Sequence, residues 1–259
     1  MLENPKFLAF DTSTDLMSVA VTDGVRVWQH SGPGGAKSSA TLIPAILALL
    51  ADAGIALGDL DAIAFGRGPG SFTGLRTACA VAQGLAFGAN QGAGIPVLPI
   101  DTLMAVAEEA RFQLHGQALG EGAQTLRITA LLDARMDEMY VQSYDFTGNT
   151  CQQVGACELI RPENLLAERV CKLLAGNVFG VYADRLSTEV MQLARVAALP
   201  TATALLRLAP VLAANGHCVD AALALPLYVR DKVAFTTEER DKAKHDKAQA
   251  ALVAGLPPV

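Results

Sequence analysis

The residues best suited to chemistry stand in two short stretches. One is the run Gly66, Arg67, Gly68, Pro69, Gly70, Ser71, Phe72, Thr73, Gly74, Leu75 and Arg76, read between an apolar strand and a helix. Glycine permits positive φ and close backbone approach, and Ser71 or Thr73 at a helix start aims free N–H groups at an anion. Gly68, Gly70 and Gly74 with those two hydroxyls therefore offer a phosphate cradle, or equally a tight structural turn. The run lacks both the Gly-Lys-Ser/Thr closure of a Walker loop and the G-x-G-x-x-G dinucleotide pattern. The second stretch is Asp11, Thr12, Ser13 and Thr14, an acid with three hydroxyls at the turn of a predicted hairpin. Such a group can hold hydrated Mg²⁺ and meet phosphate, although the same residue types are ordinary in hairpin turns.

Other chemistry has less to stand on. The histidines, His30, His115, His217 and His245, form no H-x-x-H or H-x-x-x-H pair, so no metal site is expected. There is no G-x-S-x-G elbow for a nucleophilic serine. The five cysteines, Cys79, Cys151, Cys157, Cys171 and Cys218, contain no C-x-x-C and read as buried, reduced thiols.

The elements that position the two stretches follow from hydrophobic periodicity. Short apolar strands are predicted over 7–10, 18–22 and 25–29, with a turn at Asp23 and Gly24. A Gly-rich loop over 31–35 leads to a helix that carries Leu42, Ile43, Ile46, Leu47, Leu49 and Leu50 and stops near Gly54. A strand over 62–65, the loop over 66–74 and a helix over 75–89 complete the order βββαβα. The pattern then restarts: a helix over 103–110, a polar connector to about 124, and a strand over 128–132 ending at Asp133. Laying Asp133 on Asp11 also puts Asp137 on Asp15, Met139 on Met17 and Val141 on Val19, at a constant offset of 122 residues. Strand patterns recur cheaply by chance, but the shared position of strand, acid and hairpin favours duplication. Beyond it the sequence predicts a helix over 162–174, a strand over 178–182, and helices over 187–198 and 203–215. In the copy, Ala134, Arg135 and Met136 replace the hydroxyls, so a symmetric nucleotide clamp is incomplete.

Composition bounds what these elements build. The chain has 259 residues, 51% hydrophobic and 18% charged, which excludes a disordered body. Its 45 alanines against 9 Phe, 4 Tyr and 1 Trp favour close helix packing. A net charge of −6 disfavours unaided nucleic-acid binding. The uncharged run over 77–100 contains four glycines, Pro96 and Pro99, and reads as a buried helix and loop instead of a membrane span. Glu3 and Asp11 leave no room for a signal-peptide core, so a cytoplasmic protein is expected. Eleven of the eighteen residues over 230–247 are charged, which reads as a solvated tail. The helix over 75–89 is apolar on both sides, with Leu75, Ala78, Cys79, Ala82, Leu85 and Ala86 on one and Ala80, Val81, Gly84 and Phe87 on the other. It needs cover on both, from its own sheet and from either its own lobe or a partner.

Together, Phe10 to Thr14, the 66–76 run, Ala82-Gln83-Gly84-Leu85-Ala86, the segment 133–140 and Pro226-Leu227-Tyr228-Val229-Arg230 resemble the bacterial TsaB family, formerly YeaZ. The likeness covers nearly the whole chain and weakens over 151–215 and after 235. It implies an actin-like, hexokinase-type (ASKHA) α/β fold of two βββαβα copies, with a first lobe over 1–101, a reduced second lobe over 102–225 and a C-terminal segment over 226–259. It also implies a role in making N6-threonylcarbamoyladenosine at position 37 of tRNAs reading ANN codons. There the paralogue TsaD transfers the threonylcarbamoyl group, and TsaB is a non-catalytic subunit that binds TsaD, joined by the ATPase TsaE. By resemblance, TsaD docks on the two apolar helices, here through Ile43, Ile46, Leu47, Leu50, Leu75, Cys79, Ala82 and Leu85, and an isolated TsaB pairs with itself through the same face. No cofactor of its own is implied, with ATP and Mg²⁺ at the level of the complex and tRNA met indirectly. Ser38 stands where many members keep a histidine, which weakens a metal reading further. The competing expectation is an autonomous actin-fold phosphotransferase or ATPase built on Asp11 to Thr14 and the glycine loop.

Overall fold

A computed structural model describes residues 4–116 and 125–230, so the expected tail over 231–247 and the connector over 117–124 lie outside the described residues. Strands β1 (Phe7–Asp11), β2 (Leu16–Thr22) and β3 (Val27–Pro33) form an antiparallel meander. Helix α1 (Ser38–Ala53), β4 (Ala62–Gly68), helix α2 (Phe72–Gly88), β5 (Val97–Asp101) and helix α3 (Thr102–His115) follow. Gly54 closes α1 with φ 67°, a left-handed cap that glycine adopts without a Cβ penalty. The sheet order is β3-β2-β1-β4-β5, with β1, β4 and β5 parallel.

The second half repeats this order with β6 (Leu126–Arg135), β7 (Glu138–Thr147), β8 (Thr150–Ile160), β9 (Leu173–Gly176) and β10 (Ala194–Ala197), arranged β8-β7-β6-β9-β10. The duplicated α/β architecture expected from the sequence is therefore present, and its second copy is the reduced one. Among the described residues its outer face keeps two four-residue helices, α4 (Val178–Val181) and α5 (Thr188–Met191), before the full helix α6 (Ala202–Ala214).

Several elements fold differently from the sequence expectation. The chain over 162–174 makes two single 3-10 turns and enters β9 in place of the expected helix. The expected strand over 178–182 is α4, and the expected helix over 187–198 is divided between α5 and β10. Short apolar runs carry no period long enough to separate the two states. The 66–74 loop is also shorter than expected, because β4 runs to Gly68 and α2 begins at Phe72.

Four cores follow the strand alternation. Leu8, Phe10, Met17 and Val19 face α1 and α2, while Phe7, Ala9 and Ala20 face α6. In the second sheet Ile128, Ala130 and Leu132 face α3, and Leu131, Met139 and Val178 pack on the opposite side. The two long inner helices are thus exchanged: α3 leaves the first sheet to cover the second, and α6 leaves the second to cover the first. They meet where Arg207 of α6 lies over the Phe112 ring at 4.0 Å and bonds Glu108 and Glu109 of α3, each at 2.7 Å. Packing therefore runs through residues 101–102, and everything described up to Val229 is one compact unit.

The repeat carries one register slip. Asp11 stands opposite Ser18, but Asp133 stands opposite Met139. Met139 and Val141 keep the outer face of Met17 and Val19, so the slip falls in β6. A one-residue slip turns every side chain to the other face. Asp133 consequently shares a face with Leu131 and bonds the Tyr182 hydroxyl at 2.7 Å, whereas Asp11 shares a face with Phe7 and Ala9. The overlay of the two acids holds for their turns and fails for the direction in which they point.

Candidate functional site

The two chemical stretches meet at the C-terminal ends of β1 and β4. Asp11 is fully buried, and its Oδ1 accepts bonds from the Ser13 amide at 2.8 Å and the Ser13 hydroxyl at 2.6 Å. This is an Asx turn, and Asp133 repeats it by accepting the Arg135 amide at 2.9 Å. Asp11 Oδ2 has no partner among the described residues, and a Cβ built on Gly66 would sit 1.8 Å from it. Burial pushes the carboxyl up to about 6 from 3.8, against the lowering effect of the two Ser13 bonds.

The glycine run is filled from within the chain. Thr12 donates its hydroxyl to the Gly74 carbonyl at 2.7 Å, and the Ser71 amide donates to the Ser13 carbonyl at 2.7 Å. A Cβ on Gly74 would meet the Thr12 carbonyl oxygen at 1.9 Å, and one on Gly70 would meet the Ser13 Cβ at 2.6 Å. The Arg67 carbonyl accepts from the Leu227 amide at 2.7 Å, and Gly68, at φ +123°, lies against the Leu227 carbonyl. Tyr228 accepts from Arg76 Nε at 3.1 Å and stacks on Phe72 with centroids 5.3 Å apart.

Thr12 and Ser13 are buried with Asp11, while the hydroxyl-bearing residues Ser71 and Thr73 remain exposed. The glycines thus admit backbone from β1's turn and from the C-terminal strap, and the fit to a Mg-nucleotide is poor: the acid is sealed and the loop's concave side is occupied by protein. Asp15 and Arg135 also pair across the two hairpin tips.

The expected partner residues divide by burial. Ile46, Leu50, Leu75, Cys79 and Ala82 are buried in the chain's own core, which corrects their assignment to a surface, while Leu85 is half-buried. Periodicity alone does not say which stripe of an all-apolar helix meets its own sheet. Ile43 at 43% and Leu47 at 55% exposure stay on the surface, together with Phe87 at 54% on α2. Along these helices the only charged residues are Asp52 and Arg76. Gly84 lies in the exposed stripe, and among the described residues no atom beyond its own helix backbone comes within 4 Å of a Cβ placed there.

The strap that follows α6 adds Leu223 and Leu225, each 62% exposed, beside α2, where Ala224 accepts a bond from Gln83 at 3.0 Å. The sequence signal for Phe87 was the second apolar stripe of its helix, but residues 223–225 show no periodicity that would have marked them.

Two mixed sheets in one strand order, each an antiparallel meander continued by parallel strands, define the duplicated actin-like class of α/β proteins. A family model described as TsaD, tRNA N6-adenosine threonylcarbamoyltransferase, matches residues 32–256. The tRNA threonylcarbamoyladenosine biosynthesis protein TsaB of Haemophilus influenzae is 34% identical over 90% of this chain and 97% of that protein. The Escherichia coli protein of the same description is 31% identical over 89% and 96%. The solved structure of YeaZ from Pseudomonas aeruginosa superposes with a TM-score of 0.74 at 36% identity, over 87% of this chain and all of that one. The chain belongs to the TsaB (YeaZ) family. Among the described residues no helix is long and apolar enough to cross a membrane, and no cluster of three His, Cys, Asp or Glu side chains is placed to hold a metal ion.

Proposed function

We propose that this protein is a non-catalytic subunit in tRNA threonylcarbamoyladenosine biosynthesis, acting in the cytoplasm by binding TsaD, with TsaE joining the pair. The observation that carries this reading is the exposed, nearly uncharged face of α1 and α2. Ile43, Leu47 and Phe87 stand out from it, and Gly84 leaves room for a second backbone to come close. A mid-helix glycine costs about 1 kcal/mol relative to alanine, and no contact among the described residues requires one at this position. In the absence of TsaD the same face pairs two copies of the chain. ATP, Mg²⁺ and the tRNA phosphates are then handled by the partners, in keeping with the net charge of −6 and with an Asp11 sealed from solvent. The autonomous phosphotransferase reading has no open cradle to support it.

The test is co-purification with TsaD and reconstitution with TsaD, TsaE, tRNA and threonylcarbamoyl-adenylate. Addition of the chain should raise modification sharply, and Leu47→Glu with Phe87→Glu should abolish both binding and stimulation while leaving a soluble, folded protein. Undiminished binding by that variant would place the interface elsewhere.

A further inference from the structure

A cavity of about 410 Å³ lies on the β5 flank of the first sheet, between α6 and the β7–β8 turn, away from the α1–α2 face. Its size falls in the range of small-molecule sites, and its lining is divided by chemistry. The apolar part is built by Pro99, Ile100, Met104, Leu208, Val211 and Leu212. The polar part carries four carboxamides, Asn149, Gln152, Gln153 and Asn215, together with the imidazole of His217. The side chains of Asn149, Gln152, Asn215 and His217 are exposed and make no hydrogen bond to another described residue, whereas Gln153 is engaged with Gln142 at 3.2 Å and the Gly155 carbonyl at 3.1 Å.

Arg67 completes the lining. Its Nε donates to Asp101 at 2.5 Å, which fixes the guanidinium, while its two terminal amino groups have no acceptor among the described residues. Asp101 is the one acid of this cavity, and its side chain is only 13% exposed behind that bond.

We infer that this cavity binds a nucleoside monophosphate or a compound of that chemistry. An apolar wall accepts the face of a heterocycle. Carboxamides offer a donor and an acceptor side by side, the complement of a base edge. An oriented guanidinium with a free fork takes a phosphate, and its partner acid holds it in place without occupying that fork. The inference is independent of TsaD binding, because no residue of the α1–α2 face takes part in it. It also differs from a nucleotide at the glycine loop, since Arg67 contributes its side chain here and only its carbonyl there.

The experiment is titration calorimetry of the full chain with AMP, GMP, CMP and UMP at millimolar concentration, with inorganic phosphate and the matching nucleosides as controls. At least one monophosphate should bind, at least tenfold more tightly than its nucleoside and than phosphate alone. Arg67→Gln should weaken that binding at least tenfold, and Leu212→Trp, which fills the apolar wall and leaves the Arg67–Asp101 pair intact, should abolish it. Side-chain amide resonances of Asn149, Gln152 and Asn215 should shift on titration of the wild type. Absence of binding by all four monophosphates, or binding that survives both substitutions in folded protein, would overturn the assignment.

Discussion

At Asp11 the physical chemistry of one carboxyl decides between two roles. A ligand for a hydrated cation needs an open face, and Asp11 has none; its free oxygen sits against Gly66. The cost shows in its proton affinity, since the folded value of about 6 lies above the unfolded 3.8. The folded state therefore holds this proton more tightly, so the carboxyl's contribution is fully present below about pH 4 and is lost as pH rises through about 6. Asp11→Asn, which mimics the protonated form, should melt close to wild type at pH 4. It should be more stable at pH 7 by up to about 3 kcal/mol, as measured by paired denaturation curves at the two pH values. A wild-type advantage that grows towards neutral pH would mean that the ionised form has a partner. Gly74→Ala should destabilise by about 3 kcal/mol or more in the same assay, because its methyl group would overlap the Thr12 carbonyl. Neither role was separable in the sequence: Asp-Thr-Ser-Thr reads identically as turn or ligand, and what fills a glycine loop comes from sixty residues away.

Among the elements, the first copy was legible where periods are long and stops are explicit. Helix α1 ends at Gly54 as its sequence indicates, and α2 shows both apolar stripes. The second copy was read less well, because its outer helices have shrunk to four residues and β9 and β10 are as short. Assigning the stripes of α2 needs the sheet, which is why periodicity offers Ala82, with no exposure, and Phe87, which is exposed, as equal candidates for a contact surface. Gly84 offers a two-sided test of the exposed stripe. Gly84→Ala should raise the stability of the isolated chain by about 1 kcal/mol, seen as a higher melting temperature, and should weaken TsaD binding in the pull-down. A gain in stability with unchanged binding would show that no backbone approaches there.

For the molecule as a whole, the repeated succession of elements was legible from the duplicated pattern, but the exchange of α3 and α6 was not. Both helices follow their own strands in sequence, and only tertiary packing shows which sheet each covers. Arg207 joins the two helices through Glu108 and Glu109, and Glu109 is held below the ordinary carboxylate range by that bond and the one from Thr201, although burial opposes them. Arg207→Ala leaves the buried Glu108 with one cation, the buried Arg111, where it had two. The chain should then unfold in a single transition at lower denaturant, by about 3 kcal/mol, and not in two separated steps.

The helix exchange also sets a timetable for synthesis. The inner face of the first sheet, with Phe7, Ala9, Ala20 and Leu98, is complete in the nascent chain by residue 101, yet its cover is not made until residues 202–214 emerge. For roughly a hundred residues of translation that apolar face has only the edge of α3, through Met104 and Ala105, against it, and its main cover is a contact of high sequence separation that defers folding to the end of synthesis. Ribosome-arrested chains released from the tunnel only as far as residue 200 should remain protease-sensitive in the first sheet, and chains released past residue 214 should become resistant in one step.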